Sequence, residues 1–278
     1  MHKLHFLTAG IPLSTKPKKT IITGLKRIKE LGLDGMEIEY VRGIVYDVNY
    51  IKEVGKIAKD LKLVLTAHAP YFINLFSSEK RIIDKSYEYI LDTARLLDYA
   101  NGYSIVFHAA YYLEKKPELV YKSVKEHIEH ISQIASKEAL KIWIRPELMG
   151  KKSQFGNLEE IIKLSKEING KILPCIDLAH LHARTNGKFN SYEEWARLWD
   201  FMGNELGEES LKNVHLHFSG IKYTDKGEQK HINLKDSQFR YREFLKSLID
   251  YDIYGVIVCE SPNIEGDTLM MKKTYLSM

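Results

Sequence analysis

Short apolar runs alternate with longer amphipathic segments along the whole chain. Leu4–Thr8 reads as a strand and Ala9-Gly-Ile-Pro12 as the loop after it. Ile21, Ile22, Leu25, Ile28 and Leu31 lie at helical spacing, and that segment stops at Gly32. Residues 35–40 then set Met36, Ile38 and Tyr40 against Glu37 and Glu39, a period of two that predicts a strand. The rhythm continues with a helix over 50–61, a strand over 63–67 ending at His68, and a long helix over 80–100. A strand over 104–107 ends at His108, a helix covers 117–137, and a strand over 141–144 leads through Arg145-Pro146 to Glu147. Asn157 is placed to cap a helix over 158–168. The run from Ile172 to Ile176 predicts a buried strand ending on Asp177, with His180 three residues on and a polar loop, Arg184-Thr-Asn-Gly187, beyond it. Ser191 and Glu194 form a capping box for a helix over 191–206. The last units are a strand over 213–218, a helix over 241–249, a strand over 254–259 ending at Glu260, and a helix over 267–276.

Eight strand-then-helix units predict a parallel sheet closed into a (β/α)8 barrel, a TIM barrel, as one domain over residues 1–278. The longest irregular piece, 219–239, exceeds a simple connection and carries Glu228 and His231. Within it, 222–232 is polar and charged, without apolar spacing to pack it, so metal coordination is expected to order it, with Gly227 easing the turn.

Composition narrows the class. A chain of 278 residues, 44% hydrophobic and 28% charged, suits a globular protein with a large core. No apolar run approaches the roughly 20 residues of a membrane span, and the first residues lack a signal-peptide core. Cys175 and Cys259 both fall inside apolar runs and read as small core residues, which fits a reducing, cytoplasmic setting. A formal charge of +4 permits a polyanionic partner without requiring one.

The chemistry gathers at strand ends, which a barrel of this kind delivers to one face. There stand His68, His108, Glu147, Asp177 with His180, the pair His215 and His217, and Glu260, with His231 joining from the long connection. A single histidine at a strand end is usually an ordinary hydrogen-bonded side chain. By contrast His127 and His130, three apart on a charged helix, read as a solvated face, and His2 and His5 lie at the terminus. Most of the imidazoles therefore share one predicted face with the carboxylates. That donor set suits Zn2+, with Mn2+ the second choice, and exceeds what one tetrahedral ion needs, so two or three ions and a hydrolase are expected.

Several of these stretches resemble a known family. Thr66-Ala-His-Ala-Pro-Tyr-Phe-Ile-Asn74, Val106-Phe-His108, Arg145-Pro-Glu147, Cys175-Ile-Asp-Leu-Ala-His180, His215-Leu-His-Phe-Ser219 and Val258-Cys-Glu-Ser-Pro262 are similar to endonuclease IV, the zinc-dependent apurinic/apyrimidinic endonucleases. The likeness runs in register over about three-quarters of the chain. It implies a TIM barrel with three zinc ions that cleaves DNA 5′ to an abasic site through a metal-bound hydroxide. Position by position, it implies that His68 and His108 hold a first zinc and that Glu147 bridges to a second. Asp177, Glu260 and a histidine of the seventh strand (His217, or His215 in the other register) complete the second site, and His180 and His231 bind a third. Glu147 and Asp177 would also orient the nucleophile. Tyr71, Phe72 and Arg42, in loops after the third and second strands, would meet the DNA, with Lys151, Lys152, Lys222 and Lys226 near phosphates. The partner implied is damaged double-stranded DNA; a monomer with no membrane association is expected.

The chain departs from the family where it has an aspartate two residues before the loop histidine. Gln229 stands there, and Glu228, one residue earlier, is the expected substitute ligand. Ser219 and Gly220 replace the family's Asn-Asp pair. Two other readings follow the same residues. A divalent-metal sugar isomerase or epimerase needs only Glu147, Asp177, His217 and Glu260; a non-catalytic binder of damaged DNA would have an incomplete metal site.

Overall fold

A computed structural model describes residues 3–278 apart from Pro17, Arg42 and Tyr46. Arg42, expected at the DNA, therefore lies outside the described residues. The sheet is a ring in which every strand is parallel to its neighbours. Its first half comprises β1 (Leu4–Ala9), β2 (Gly35–Glu39), β3 (Val64–His68), β4 (Ser104–Phe107) and β5 (Trp143–Pro146). Between them run α1 (Ile21–Glu30), α2 (Val48–Leu61), α3 (Lys80–Tyr99) and α4 (Pro117–Lys137). The second half has α5 (Leu158–Glu167), β6 (Ile176–Asp177), α6 (Leu178–Arg184), α7 (Tyr192–Leu206) and β7 (Val214–Phe218). The chain then forms β8 (Gly220–Thr224) and β9 (Gly227–Ile232), a separate pair outside the ring, and ends with α8 (Tyr241–Asp250), β10 (Gly255–Cys259) and α9 (Glu265–Leu276). β10 lies between β1 and β7.

β6 is shorter than the apolar run 172–176 predicts. Pro174 has no backbone N–H to give a ladder, so pairing with β5 survives only as bridges at Ile172 with Ile144 and Cys175 with Glu147. Those bridges still close the ring. Helix starts follow their local chemistry. Asn157 accepts from the Glu160 amide while the Glu160 side chain returns to the cap, and Ser191 with Glu194 does the same for α7.

Apolar packing divides between two shells. One lies beneath α1–α4, with Leu25, Ile51, Ile90, Val124 and Phe107 buried in it. The other lies beneath α5–α9, centred on Trp195, Trp199, Phe218 and Phe244. A small third group, Leu7, Val256 and Val258, stands apart from both. Below the mouth, the buried Arg145 guanidinium donates to the carbonyls of Pro174 (3.1 Å) and Asn213 (2.9 Å) and to Asn213 Oδ1 (2.9 Å).

The connection 219–239 differs from the expectation. It is a β-hairpin, β8 against β9, followed by a short 3-10 turn at Leu234–Asp236. Ile221 is buried with Ala179 and Ala183, and Tyr223 packs on the same group. Gly227 (φ +98°) closes the turn, where a Cβ would lie 2.2 Å from the Gly150 carbonyl oxygen. Backbone pairing and an apolar foot give this segment regular structure. His127 also departs from a solvated face: its Nδ1 stands 2.9 Å from Tyr87 Oη. Among the described residues, no helix is long and apolar enough to cross a membrane.

Candidate metal centre

Strands β3, β4, β5, β6, β7 and β10 each place one donor at or just beyond their mouth ends, because the backbone ladder holds the ends level. The Glu147 amide donates to Phe107 O (3.0 Å) and the Glu260 amide to Phe218 O (2.9 Å), while Asp177 is in register with His217. Asp177 also caps α6, accepting from the His180 amide at 2.8 Å. His180 thus sits on a helix's first turn, not in a loop, and the cap fixes its position relative to Asp177.

Three adjoining clusters result, each with ligand atoms within 4.8 Å of one another. The first is His68, His108 and Glu147; the second Glu147, Asp177, His217 and Glu260; the third Asp177, His180 and His231. Glu147 belongs to two of them. Its Oε2 is 3.1 Å from His68 Nε2 and 3.0 Å from His108 Nε2, and its Oε1 is 3.4 Å from His217 Nδ1. His217 Nδ1 is also 3.5 Å from Glu260 Oε1. In the third cluster the Nε2 atoms of His180 and His231 stand 3.3 Å apart. Glu228 faces both: Oε2 is 3.4 Å from His180 Nε2 and Oε1 is 3.8 Å from His231 Nε2. Its amide is tied to Gly150 O at 3.2 Å, which fixes where β9 presents it.

The imidazoles are oriented from behind. His68 Nδ1–H donates to Ala69 O (2.8 Å) and His180 Nδ1–H to Leu148 O (2.9 Å), an assignment that follows because a carbonyl can only accept. Nε2 of each ring then faces a carboxylate, Glu147 for His68 and Glu228 for His180, the side from which a metal-ligating histidine binds its ion. His217 Nε2 is 2.9 Å from Glu37 Oε1. His215, the other candidate of the seventh strand, does not reach the mouth. It lies two residues deeper, with Nε2 3.1 Å from Glu37 Oε2 and Nδ1 2.7 Å from Ser104 Oγ. Cys175 stands within ligand reach of His215 and His217, a fourth group deeper in the barrel, and burial pushes its thiol up to about 12.

The electrostatics favour cations. Buried Asp177 Oδ2, both His217 nitrogens, His215 Nε2 and both Glu37 oxygens have no aligned hydrogen-bond partner among the described residues. Burial opposes charge on His68, yet hydrogen bonding and attraction to Glu147 raise it to about 9. The same contest is won by Asp177 and Glu147 at His180, and by Cys175 and Glu260 at His217, so both are raised well above the usual imidazole value. Burial raises Glu260 well above the carboxylate range, with Asp177 and Glu147 adding to it. Glu147 is held well below that range despite burial, chiefly by His108. Burial lowers His108, and burial with the His180 charge lowers His231. Protons therefore occupy the positions a divalent ion would neutralise. A buried and a half-buried imidazole nitrogen at 3.3 Å, and carboxylates shared between clusters, are a donor set that fits divalent ions.

Tyr71 lies on this centre. Its ring stacks on His108 (centroids 5.0 Å, 25°) and meets His68 edge-on at 5.2 Å. Burial and the carboxylates of Glu39, Glu260 and Glu147 raise its phenol, so it acts as a donor. Phe72 is exposed beside it. Lys151, Lys152, Lys222 and Lys226 are exposed on and beside the hairpin. The sequence reading missed Glu37 and Glu39. Their alternation with Met36 and Ile38 was visible, but in a closed ring both faces of a strand are covered. Glu37 is fully buried, and burial, with Glu37 and Glu147 nearby, pushes the Glu39 carboxyl up to about 7.

Known proteins share this framework. The uncharacterized protein MJ0133 of Methanocaldococcus jannaschii is 38% identical over 272 residues, 98% of this chain and 97% of the relative. A probable endonuclease 4 of Clostridium botulinum is 25% identical over 177 residues, 62% of each chain. Among solved structures, a D-tagatose 3-epimerase-like protein superposes with a TM-score of 0.71 at 21% identity, covering 97% of both chains. Endonuclease IV from Thermus thermophilus superposes with a TM-score of 0.70 at 19% identity, over 97% of this chain and 98% of that one. At those identities the superpositions speak to fold. The ring of eight parallel strands, its donor-lined mouth and a family match over residues 25–274 agree: the chain belongs to the xylose isomerase-like TIM barrel family.

Proposed function

We propose that this protein is a zinc-dependent phosphodiesterase that cleaves the DNA backbone 5′ to abasic sites. The observation that carries the reading is the division of donors into three clusters joined by Glu147 and Asp177. A reaction at one cation needs only the second cluster; three abutting clusters suit a substrate whose phosphate is held from several sides. The weak likeness to probable endonuclease 4 points the same way. Bound zinc supplies Lewis-acid charge and activates water at neutral pH.

The chain's own groups do the positioning. Glu147 spans the first two clusters with separate oxygens, which fixes their spacing. Asp177, held as the α6 cap, is set between the second and third. Glu228 completes the third cluster, in place of the family's aspartate. The protonated Tyr71 hydroxyl offers a hydrogen bond to a phosphate oxygen, and the exposed Phe72 ring is free to enter a gap in the base stack. The hairpin lysines contact backbone phosphates.

The epimerase reading keeps its own support, an equal likeness in fold to several sugar epimerase structures, a D-tagatose 3-epimerase-like protein among them. Both activities are measurable on one preparation. A duplex with a single abasic site should be nicked by zinc-loaded protein and spared after chelation, with ketohexoses left unconverted. Epimerisation without nicking would reverse the assignment, and a folded, zinc-loaded protein inert in both assays would refute it.

A further inference from the structure

We infer that Glu37 is a positioning residue for the metal centre: its buried carboxylate fixes the His217 ring so that Nδ1 presents a lone pair to the second cluster. The inference rests on the metal reading of that cluster, not on the choice between nuclease and epimerase.

The Glu37 contacts are at ion-pair distance without hydrogen-bond alignment, and with a cation on His217 Nδ1 one hydrogen arrangement is consistent with them. Glu37 is completely buried, and its two oxygens face two imidazole nitrogens, His217 Nε2 at 2.9 Å and His215 Nε2 at 3.1 Å. An ionised carboxylate only accepts, so both Nε2 atoms carry hydrogen. His217 Nδ1 is then unprotonated in the neutral ring and faces Glu147 Oε1 and Glu260 Oε1 at 3.4 and 3.5 Å. That is the tautomer a cation needs. His215 Nδ1 in turn accepts from Ser104 Oγ at 2.7 Å. Backbone carbonyls do this work for His68 and His180. His217 is on a strand, where its neighbours' carbonyls are spent in the ladder, so a side chain from β2 must serve instead.

The two rings are not equivalent in what they tolerate. Ser104 can accept as readily as it donates, so His215 can exchange tautomers. His217 with a cation on Nδ1 cannot, because that nitrogen must keep its lone pair for the ion and Nε2 must then carry the hydrogen. Glu37→Gln keeps one acceptor, which His217 can claim while His215 turns over. Glu37→Leu removes both acceptors at similar volume.

Zinc affinity by chelator competition, equivalents bound by elemental analysis, and histidine tautomers by 15N NMR on zinc-loaded protein test this without substrate. Glu37→Leu should weaken one zinc by about 10- to 100-fold, the usual cost of losing such a partner. Glu37→Gln should stay within about threefold of the parent, and the parent's His217 should carry hydrogen on Nε2. Equal losses in the two variants, or no loss in Glu37→Leu, would overturn the role. If the Leu variant does not fold, the parent spectrum decides: His217 with hydrogen on Nδ1 excludes it. A parent that binds no zinc at this cluster removes the metal reading as well.

Discussion

Gly150 is where the third cluster can be tested without touching a ligand. A Cβ built on Gly150 would lie 2.7 Å from Glu228 Cβ, 2.8 Å from His180 Cδ2 and 3.0 Å from Glu228 Oε2. The Glu228 carboxylate can turn aside, but Glu228 Cβ and His180 Cδ2 cannot. Glu228 is tied by its amide to Gly150 O, and His180 is held by Leu148 O and by the Asp177 cap. Restoring ordinary contact near 3.4 Å requires β9 to retreat by about 0.7 Å. Zinc–ligand distances tolerate only about 0.2 Å, so Gly150→Ala should remove Glu228 from any shared ion. We expect the third zinc to weaken by at least about 10- to 100-fold, equivalent to about 1.4–2.8 kcal/mol. Overpacking should cost about 1–3 kcal/mol of fold stability. Chelator competition on parent and variant reads the affinity, and Glu228→Ala gives the reference for complete loss of the carboxylate. Unchanged zinc binding in a folded Gly150→Ala protein would show that Glu228 is not a ligand.

Glu147→Gln should abolish nicking while circular dichroism and melting temperature stay near the parent's, since a shared oxygen pair is lost but not the side-chain shape; near-normal cleavage would reduce Glu147 to a strand-end residue. Tyr71→Phe should leave zinc content unchanged and weaken cleavage about tenfold, as one hydrogen bond to a charged group contributes roughly 1.5–3 kcal/mol at most; altered zinc content would place Tyr71 in the metal site itself. Metal-free protein should lose stability as pH rises. His68 ionises near 6.5 when unfolded and about 9 when folded, so its contribution, roughly 3 kcal/mol, is complete below 6.5 and gone above 9. His180 and His217 act in the same direction, whereas His108 and His231, lowered by burial, matter only below 6.5. Urea titrations from pH 6.5 to 9 without metal should show this decline, and a flat profile would contradict it.

The strand–helix rhythm and several helix starts were determined locally. Ser191 with Glu194, and Asn157 with Glu160, form caps from residues three apart, and such bonds need nothing distant. The strand-end donors His68, His108, Glu147, Asp177 and Glu260 were equally legible, because a parallel barrel sends every strand's end to one face. Choosing between His215 and His217 required depth in the ring. Two residues on one strand share a face but differ by about 7 Å in height, and only the height of Glu147 and Glu260 on other strands selects His217. Glu37 was hidden for a related reason. Its alternation with apolar neighbours suits a half-solvated strand as well as a barrel interior, and closure of the ring decides which face meets water. The hairpin bearing Glu228 was missed because its foot, Ile221 and Tyr223, finds apolar partners on α6, some forty residues away in sequence. Local patterning carries information about periodicity and caps; closure, depth and long-range packing exist only once the strands have met.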